Sequence, residues 1–192
     1  MRELAVLSFV TLDGVMQAPS APEEDTSGGF AHGGWAAPYW EEVMPEVERA
    51  AMSAPYDILF GHKTYDIFAS HWPTAPKSDV AEILNSARKH VATSSPDALS
   101  WENSYALTGD IVEGVRNLKA DAGPLLQVHG SAGLIQTLQA NDLIDEFRIW
   151  TFPVVVGSGK RLFGENSAFM CYALHDFRVL DNGVTQQMFR RA

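Results

Sequence analysis

Apolar and polar positions divide the chain into short alternating runs. Residues 4–10 form a nearly unbroken apolar stretch, which suits a strand buried on both faces at the centre of a parallel sheet. Residues 11–35 break that pattern. Asp13-Gly14, Pro19, Pro22, Ser27-Gly28-Gly29 and Gly33-Gly34 are turn formers, and neither a helical nor a strand period fits. Trp40, Val43, Met44, Val47, Ala50 and Ala51 then recur at helical spacing, with Pro45 expected to separate a lead-in turn from the helix proper. Short strands are expected at 57–60, 90–93 and 125–128, and helices at 64–70, 80–86 and 134–140. Another helix carries Ile111, Val115 and Leu118 on its buried stripe, with Asp110 and Glu113 as a capping box. A long β-branched strand is expected at 145–156. Two more, at 177–180 and 184–189, flank Asp181-Asn182-Gly183, a strong hairpin signal.

Strands alternating with helices predict an α/β fold, with a mainly parallel central sheet, helices on both faces and a C-terminal antiparallel hairpin. A chain of 192 residues with no internal repeat or linker suits one domain, 1–192. An apolar share of 46% and a charged share of 20% exclude the disordered and fibrous classes.

Charge narrows the partners. With 24 acids against 14 Lys and Arg, the formal charge is −10, which argues against nucleic acid and anionic membrane surfaces. A phosphorylated small molecule held by a few local cations and N–H groups is still compatible. Cys171 is the single cysteine, so no intrachain disulfide forms and a reducing cytoplasm is the expected setting. The apolar stretch at 4–10 is too short to span a bilayer and is not followed by a cleavage pattern.

Several motif readings fail. His32, His62, His71, His90, His129 and His175 show no helical i, i+4 pair, so no metal site is expected. Gly159-Lys160 is not a Walker motif, because Val154 and Arg161 stand where Gly and Ser or Thr are required. Ser131 sits in G-S-A-G, which is not a nucleophile elbow. What survives is a pair of strand-to-helix turns, Gly61-His62-Lys63-Thr64 and Gly130-Ser131-Ala132-Gly133. Such turns serve either to offer N–H groups and a positive dipole end to an anion, or only to give tight geometry.

The segments "ILFGHKTYDIFASHWP", "LSFVTLDGVM", "WENSYALTGDIVEGVRNLKA" and "LLQVHGSAGLIQTLQANDLIDEFRIWTFPVVVGSGKRLF" resemble, in order, the dihydrofolate reductase-like proteins. These include the C-terminal reductase domain of the bacterial riboflavin-biosynthesis deaminase-reductase. The H-x-E and P-C-x-x-C zinc pattern of a deaminase half is missing. The resemblance implies a dihydrofolate reductase-like fold that binds NADPH. The implied activity is that of a 5-amino-6-(5-phosphoribosylamino)uracil reductase, with hydride passing to a small heterocyclic or sugar-derived C=N or C=O group. Reduction of dihydrofolate or another pteridine, and nucleotide binding without turnover, are the alternatives.

The resemblance also implies site residues. Gly61, His62, Lys63 and Thr64 hold cofactor phosphates, Thr93, Ser94 and Ser95 lie beside the adenosine ribose, and Gly130, Ser131, Ala132 and Gly133 lie under the pyrophosphate. His62 and Lys63 are expected to share the 2′-phosphate with the Thr93 turn. Asp13 and Gly14 open a lid formed by residues 11–35, Asp13 being the candidate catalytic acid and Gly14 a substrate contact. Glu41 and Glu42 lie where folate reductases carry an acid, and are expected to be solvated. Trp35, Tyr39, Trp40, Tyr65, Phe68 and Trp72 are candidate aromatic walls, and Lys160 and Arg161 candidate contacts for a substrate phosphate. A homodimer is expected, through the strand at 147–156 and the C-terminal hairpin.

Overall fold

The computed structural model describes residues 1–164 and 167–192. Its strands are β1 (Leu4–Thr11), β2 (Tyr56–Gly61), β3 (Lys89–Ala92), β4 (Ser104–Leu107), β5 (Leu125–Gly130), β6 (Glu146–Phe152), β7 (Tyr172–Val179) and β8 (Thr185–Arg191). Its α-helices are α1 (Trp40–Val47), α2 (His62–His71), α3 (Asp79–Ser86), α4 (Ile111–Ala120) and α5 (Ala132–Ala140). All eight strands join one sheet in the order β4-β3-β2-β5-β1-β6-β8-β7. The first six run parallel, and β8 and β7 close one edge as an antiparallel hairpin.

Alternation along the central strands feeds two cores. On β1, Leu4, Val6 and Val10 face α4 and α5, where they meet Val115, Ile135 and Leu138. Leu7 and Phe9 face the other side, with Val43 and Val47 of α1 and Leu84 of α3. Both faces are covered, which is why β1 reads as a continuous apolar run.

The structure departs from the expected elements where burial does not follow apolarity. Strand β4 escapes the sequence pattern because it is a short edge strand with no buried side chain. Strand β3 begins one residue early, at Lys89. This lysine is fully buried, and its ammonium donates to the carbonyls of Asn85, Ala87 and Glu102, which take all three of its hydrogens. Strand β6 ends at Phe152 rather than 156, since Pro153 has no N–H for the ladder. Strand β7 starts at Tyr172, ahead of the expected 177, on an edge whose side chains mostly face solvent. Pro45 lies inside α1 and does not divide it; the backbone widens into a π turn only afterwards, at Glu48–Met52. At Asp110 half of the capping box forms: its carboxylate accepts from the N–H groups of Val112 and Glu113. Among the described residues no helix is long and apolar enough to cross a membrane.

Candidate functional site

The site is built where β1, β2 and β5 end. Gly61 closes β2 and caps α2, and Gly130 closes β5 immediately before α5. A Cβ on Gly61 would come within 2.3 Å of Ser131 Oγ, and one on Gly130, whose φ is +136°, within 2.9 Å of Thr64 Oγ1. These two glycines are therefore needed because the two helix starts lean on each other. A Cβ on Gly133 would meet nothing within 4 Å, so the first turn of α5 stays open. Neither α2 nor α5 has a side-chain cap, whereas α3 and α4 are capped by Ser78 and Asp110. The two helices that meet here thus keep free N–H groups and aligned positive dipole ends.

A cavity of about 130 Å³ opens in front of them. Of the residues expected from the sequence, Lys63, Thr64, Phe68 and Lys160 line it together with Gly130, Ser131 and Ala132. Sequence reasoning missed Ser8 and Phe9 at the end of β1, Gln17, Glu24 and Asp25 in the following loop, and His129 on β5. A second cavity of about 290 Å³ lies next to it, between Ser27, Phe30 and Ser158, and shares Gln17 and Lys160 with the first.

Lys63 and His62, expected to act together, face different ways. His62 Nδ1 is 2.6 Å from Thr93 Oγ1, which also accepts from the N–H of Ser95, so His62 belongs to the turn at the end of β3. Lys63 donates to Asp25 across the cavity at 2.7 Å, and Lys160 donates to the other oxygen of the same carboxylate at 2.6 Å. These donors, with the hydroxyl and N–H of Ser27, outweigh desolvation and hold the Asp25 carboxyl far below the usual range. Asp25 in turn raises the Lys63 ammonium. Glu24 behaves in the opposite way, since burial pushes its carboxyl up despite N–H groups donated by Ser20 and Ala21.

His129 is packed against the rings of Tyr56, Phe60 and Phe68. Desolvation pulls its imidazole down to about 4, so the ring is neutral at pH 7. Behind it runs a chain of polar groups. Glu146, on β6, accepts from Arg148 Nε at 2.9 Å, Arg148 Nη1 donates to Gln127 Oε1 at 3.1 Å, and Gln127 Nε2 lies 3.1 Å from His129 Nε2. With its oxygen engaged by Arg148, the Gln127 amide turns its NH₂ toward His129. This assigns the proton of the neutral ring to Nδ1.

Several expected site residues have other work. Asp13 is a clamp rather than an acid in the cleft: it accepts from Thr11 Oγ1 at 2.6 Å, from the N–H of Gly157 at 2.8 Å and from that of Val156 at 3.3 Å. Arg161 completes this clamp, donating to the carbonyl of Gly157, and Gly14 supports it in a left-handed turn with φ +80°. None of the three lines the cavity. Tyr65 is a core residue, 1% exposed, whose hydroxyl accepts from the N–H of Trp101. Trp35 is buried and donates to the carbonyl of Gln17, while Tyr39 and Trp40 pack edge-on against Phe152. Trp72 packs beside Phe68, away from the cavity wall. Glu41 is exposed as expected, but Glu42 accepts the N–H groups of Asp181 and Asn182 and so secures the hairpin turn. Residues 11–35 are not a free lid, because Val15, Ala18, Phe30 and Trp35 are buried; the longest stretch outside the core is 20–29.

A mainly parallel sheet ending in an antiparallel hairpin, with a cleft at the carboxyl ends of its central strands, defines a dihydrofolate reductase-like α/β protein. The sequence profile of the RibD C-terminal domain matches residues 2–185, and the chain belongs to that family. It is 28% identical over 136 residues to the uncharacterized protein YyaP of Bacillus subtilis, covering 69% of this chain and 72% of the relative. It is 31% identical over 108 residues to YwjB of the same organism, covering 56% and 58%. Among solved structures, a riboflavin biosynthesis protein assigned as putative, from Shewanella sp. PV-4, superposes with TM-score 0.72 at 21% identity, covering 99% of both chains. Dihydrofolate reductase from Enterococcus faecalis, complexed with NADP(H) and RAB-propyl, gives 0.62 at 10% identity, covering 98% of this chain and 96% of that one. A pyrimidine reductase-like protein from Corynebacterium diphtheriae gives 0.61 at 11%, covering 100% and 92%.

Two outcomes follow for stability. Asp13→Asn should destabilise the fold by about 1–3 kcal/mol in urea titration, with ligand affinity within twofold of wild type, because one of the two accepting carboxylate oxygens becomes an NH₂ that cannot accept, and the residue forms no cavity wall. For His129 the folded pKa of about 4 lies below the unfolded value of 6.5. Its contribution is complete above pH 6.5 and declines as pH falls toward 4, because only the unfolded chain takes up the proton in that window. Thermal scans from pH 7 to pH 4.5 should therefore give a shallower fall in Tm for His129→Phe than for wild type.

Proposed function

We propose that this reductase-family domain binds NADPH in the cleft between α2 and α5. It would reduce a C=N or C=O group of a small heterocyclic or sugar-derived compound, as a 5-amino-6-(5-phosphoribosylamino)uracil reductase does. The observation that carries the reading is the convergence of two uncapped helix starts on one cavity that also holds Lys63 and Lys160. The donor set suits a dinucleotide phosphate: N–H groups from both helices, the hydroxyls of Thr64 and Ser131, and a lysine. The turn of Thr93, Ser94 and Ser95, with His62 across from it, suits the 2′-phosphate. The E. faecalis reductase of the same fold was solved with NADP(H), which is consistent with this use of the cleft.

When bound, the cofactor supplies hydride. The protein binds, orients and excludes water. Leu7, Phe9 and Phe68 give the cavity an apolar side against which a planar ring can lie. Neutral His129, its tautomer set from behind by Gln127, offers a hydrogen-bond donor and no charge. In the free protein Glu24, whose carboxyl is raised by burial, completes the cavity wall from the loop side. A pteridine reductase fits less well, because neither Glu41 nor Glu42 of α1 lines the cavity.

Assembly as a homodimer belongs to the same proposal. Strand β6 lies inside the sheet, paired with β1 and β8, so neither of its edges is free for a partner. The edge strand β7, with Leu174, Phe177 and Val179 about half exposed or more, is the surface suited to a second copy.

Titration of NADPH and NADH into wild type, His62→Ala and Lys63→Ala tests the cofactor reading. Wild type should prefer NADPH. His62→Ala should lose about tenfold for NADPH and little for NADH, whereas Lys63→Ala should weaken both by about ten- to a hundredfold, as loss of a charge-assisted contact requires. Equal wild-type affinities would remove the 2′-phosphate assignment. Oxidation of bound NADPH with aminouracil ribosyl compounds and pteridines then separates turnover from binding alone. Light scattering should give twice the 21.1 kDa chain mass, and a monomer at micromolar concentration would refute the dimer.

A further inference from the structure

One carboxylate holds both lysines of the cavity wall. Asp25 Oδ1 accepts from Lys63 Nζ at 2.7 Å and from the Ser27 hydroxyl and N–H at 2.6 and 3.1 Å, while Oδ2 accepts from Lys160 Nζ at 2.6 Å. Lys160 Nζ also donates to Ser27 Oγ at 2.8 Å. Two ammonium groups, a hydroxyl and a backbone N–H around one anion form the donor set of a phosphoryl site. The Asp25 side chain is only 11% exposed, whereas Lys63 and Lys160 are about half exposed, so both cations can be reached by an anion from solvent.

The backbone that carries Asp25 is held differently at its ends and its middle. Its ends are fixed: Ala18 and Phe30 are buried, Gly34 donates to the Ala18 carbonyl at 2.8 Å, and Ala36 to that of Pro19 at 3.0 Å. Between them, the backbone hydrogen bonds Glu24 to Ala21 and Gly29 to Thr26 are local. The segment is tied to the rest of the protein by Gln17 Nε2, which donates to the carbonyls of Asp25 and Ser27 at 2.9 Å, and by the two lysines. A strap with fixed ends and an ionic middle yields at its middle when another anion takes the cations.

We propose that Asp25 is an internal stand-in for a phosphoryl group: it fills the site between Lys63 and Lys160 in the free protein, and a phosphorylated ligand engages both lysines by displacing it and lifting residues 20–29. The inference rests on the reading of the cavity as a cleft for NADPH and its substrate. The phosphoryl group comes either from the diphosphate of the dinucleotide or from a phosphoester on the substrate. The binding free energy of either includes the loss of the Asp25 pairs, so removing the carboxylate charge strengthens binding while weakening the free fold. A purely structural role would weaken both together.

Asp25→Asn keeps the shape and an acceptor but not the charge. Calorimetric titration with inorganic pyrophosphate and with ribose 5-phosphate should show about tenfold tighter binding of at least one probe to the variant, about 1.4 kcal/mol, with a lowered Tm. The probe that gains identifies the source of the phosphoryl group, and adding Lys160→Ala should abolish the gain. Unchanged or weaker binding of both probes to folded Asp25→Asn overturns the proposal. In wild type, pyrophosphate should accelerate cleavage after Glu23 and Glu24 by a glutamate-specific protease, and protection there overturns it even if the variant does not fold. Parallel titration of NADPH separates the two readings. Failure of NADPH to bind either protein while the pyrophosphate gain persists refutes the cofactor and leaves Asp25 as stated. Equal NADPH binding with no gain for either probe does the reverse.

Discussion

The close approach of the ends of β2 and β5 is the constraint from which the cleft derives. The two strands pair in parallel, and their register shifts between Leu59 and Phe60 so that Phe60 stands opposite Gly130. The helices that follow therefore begin side by side, with Ser131 against Gly61 and Thr64 against Gly130. Side chains that elsewhere in the chain cap their own helices are absent or turned aside here, so unpaired N–H groups face a common space. The end of β1 walls that space, and the loop after β1 covers it. Remove the glycine contact and the helix starts separate, taking with them the convergence on which the proposed anion site depends.

The electrostatics of the cleft are local and run against the balance of the whole chain. At a formal charge of −10 the surface repels anions, yet the cavity wall carries two lysines and two helix dipole ends. Neutral His129 adds no charge to this wall, because Tyr56, Phe60 and Phe68 desolvate it. The acids that moderate the field come from the loop: Asp25 is ionised by its partners and Glu24 is pushed toward its neutral form. Two neighbours in sequence thus carry opposite perturbations, because one faces ammonium groups and the other is desolvated by burial more than its backbone N–H donors offset.

Strand alternation, the Asn182-Gly183 hairpin and the two glycine turns made the architecture legible, because each depends on local chemistry that repeats at a fixed period. The candidate site was legible only on its sheet side. Lys63, Thr64 and the Gly130 turn follow strands, and topology alone puts them at one edge. His129 carried a signal, since it shares the face of Gln127 two residues earlier, but a period cannot say what the opposite face meets. Asp25, Glu24 and Gln17 had no such signal, because a loop without a period gives no register from which to place a side chain. The Asp13-Gly14 turn misled for a related reason: its residues do form a tight turn, but the turn's partners are Val156 and Gly157, about 140 residues away at the end of a segment read as strand and just beyond it. Tyr65 and Trp35 were ambiguous because aromatic rings serve cores and cleft walls equally well.

The loop after β1 also separates what must stay constant from what is free to vary. The half of the cleft that presents helix N–H groups is made by strand ends and helix starts that the sheet fixes. The opposite half is made by residues 16–30, whose outward middle section has few bonds to the frame. Changes of length or composition between Pro19 and Phe30 alter the shape and charge of that half without entering either core. One scaffold can therefore diversify by exchanging a single surface segment, so relatives that share the sheet and both glycine turns can accept chemically different substrates.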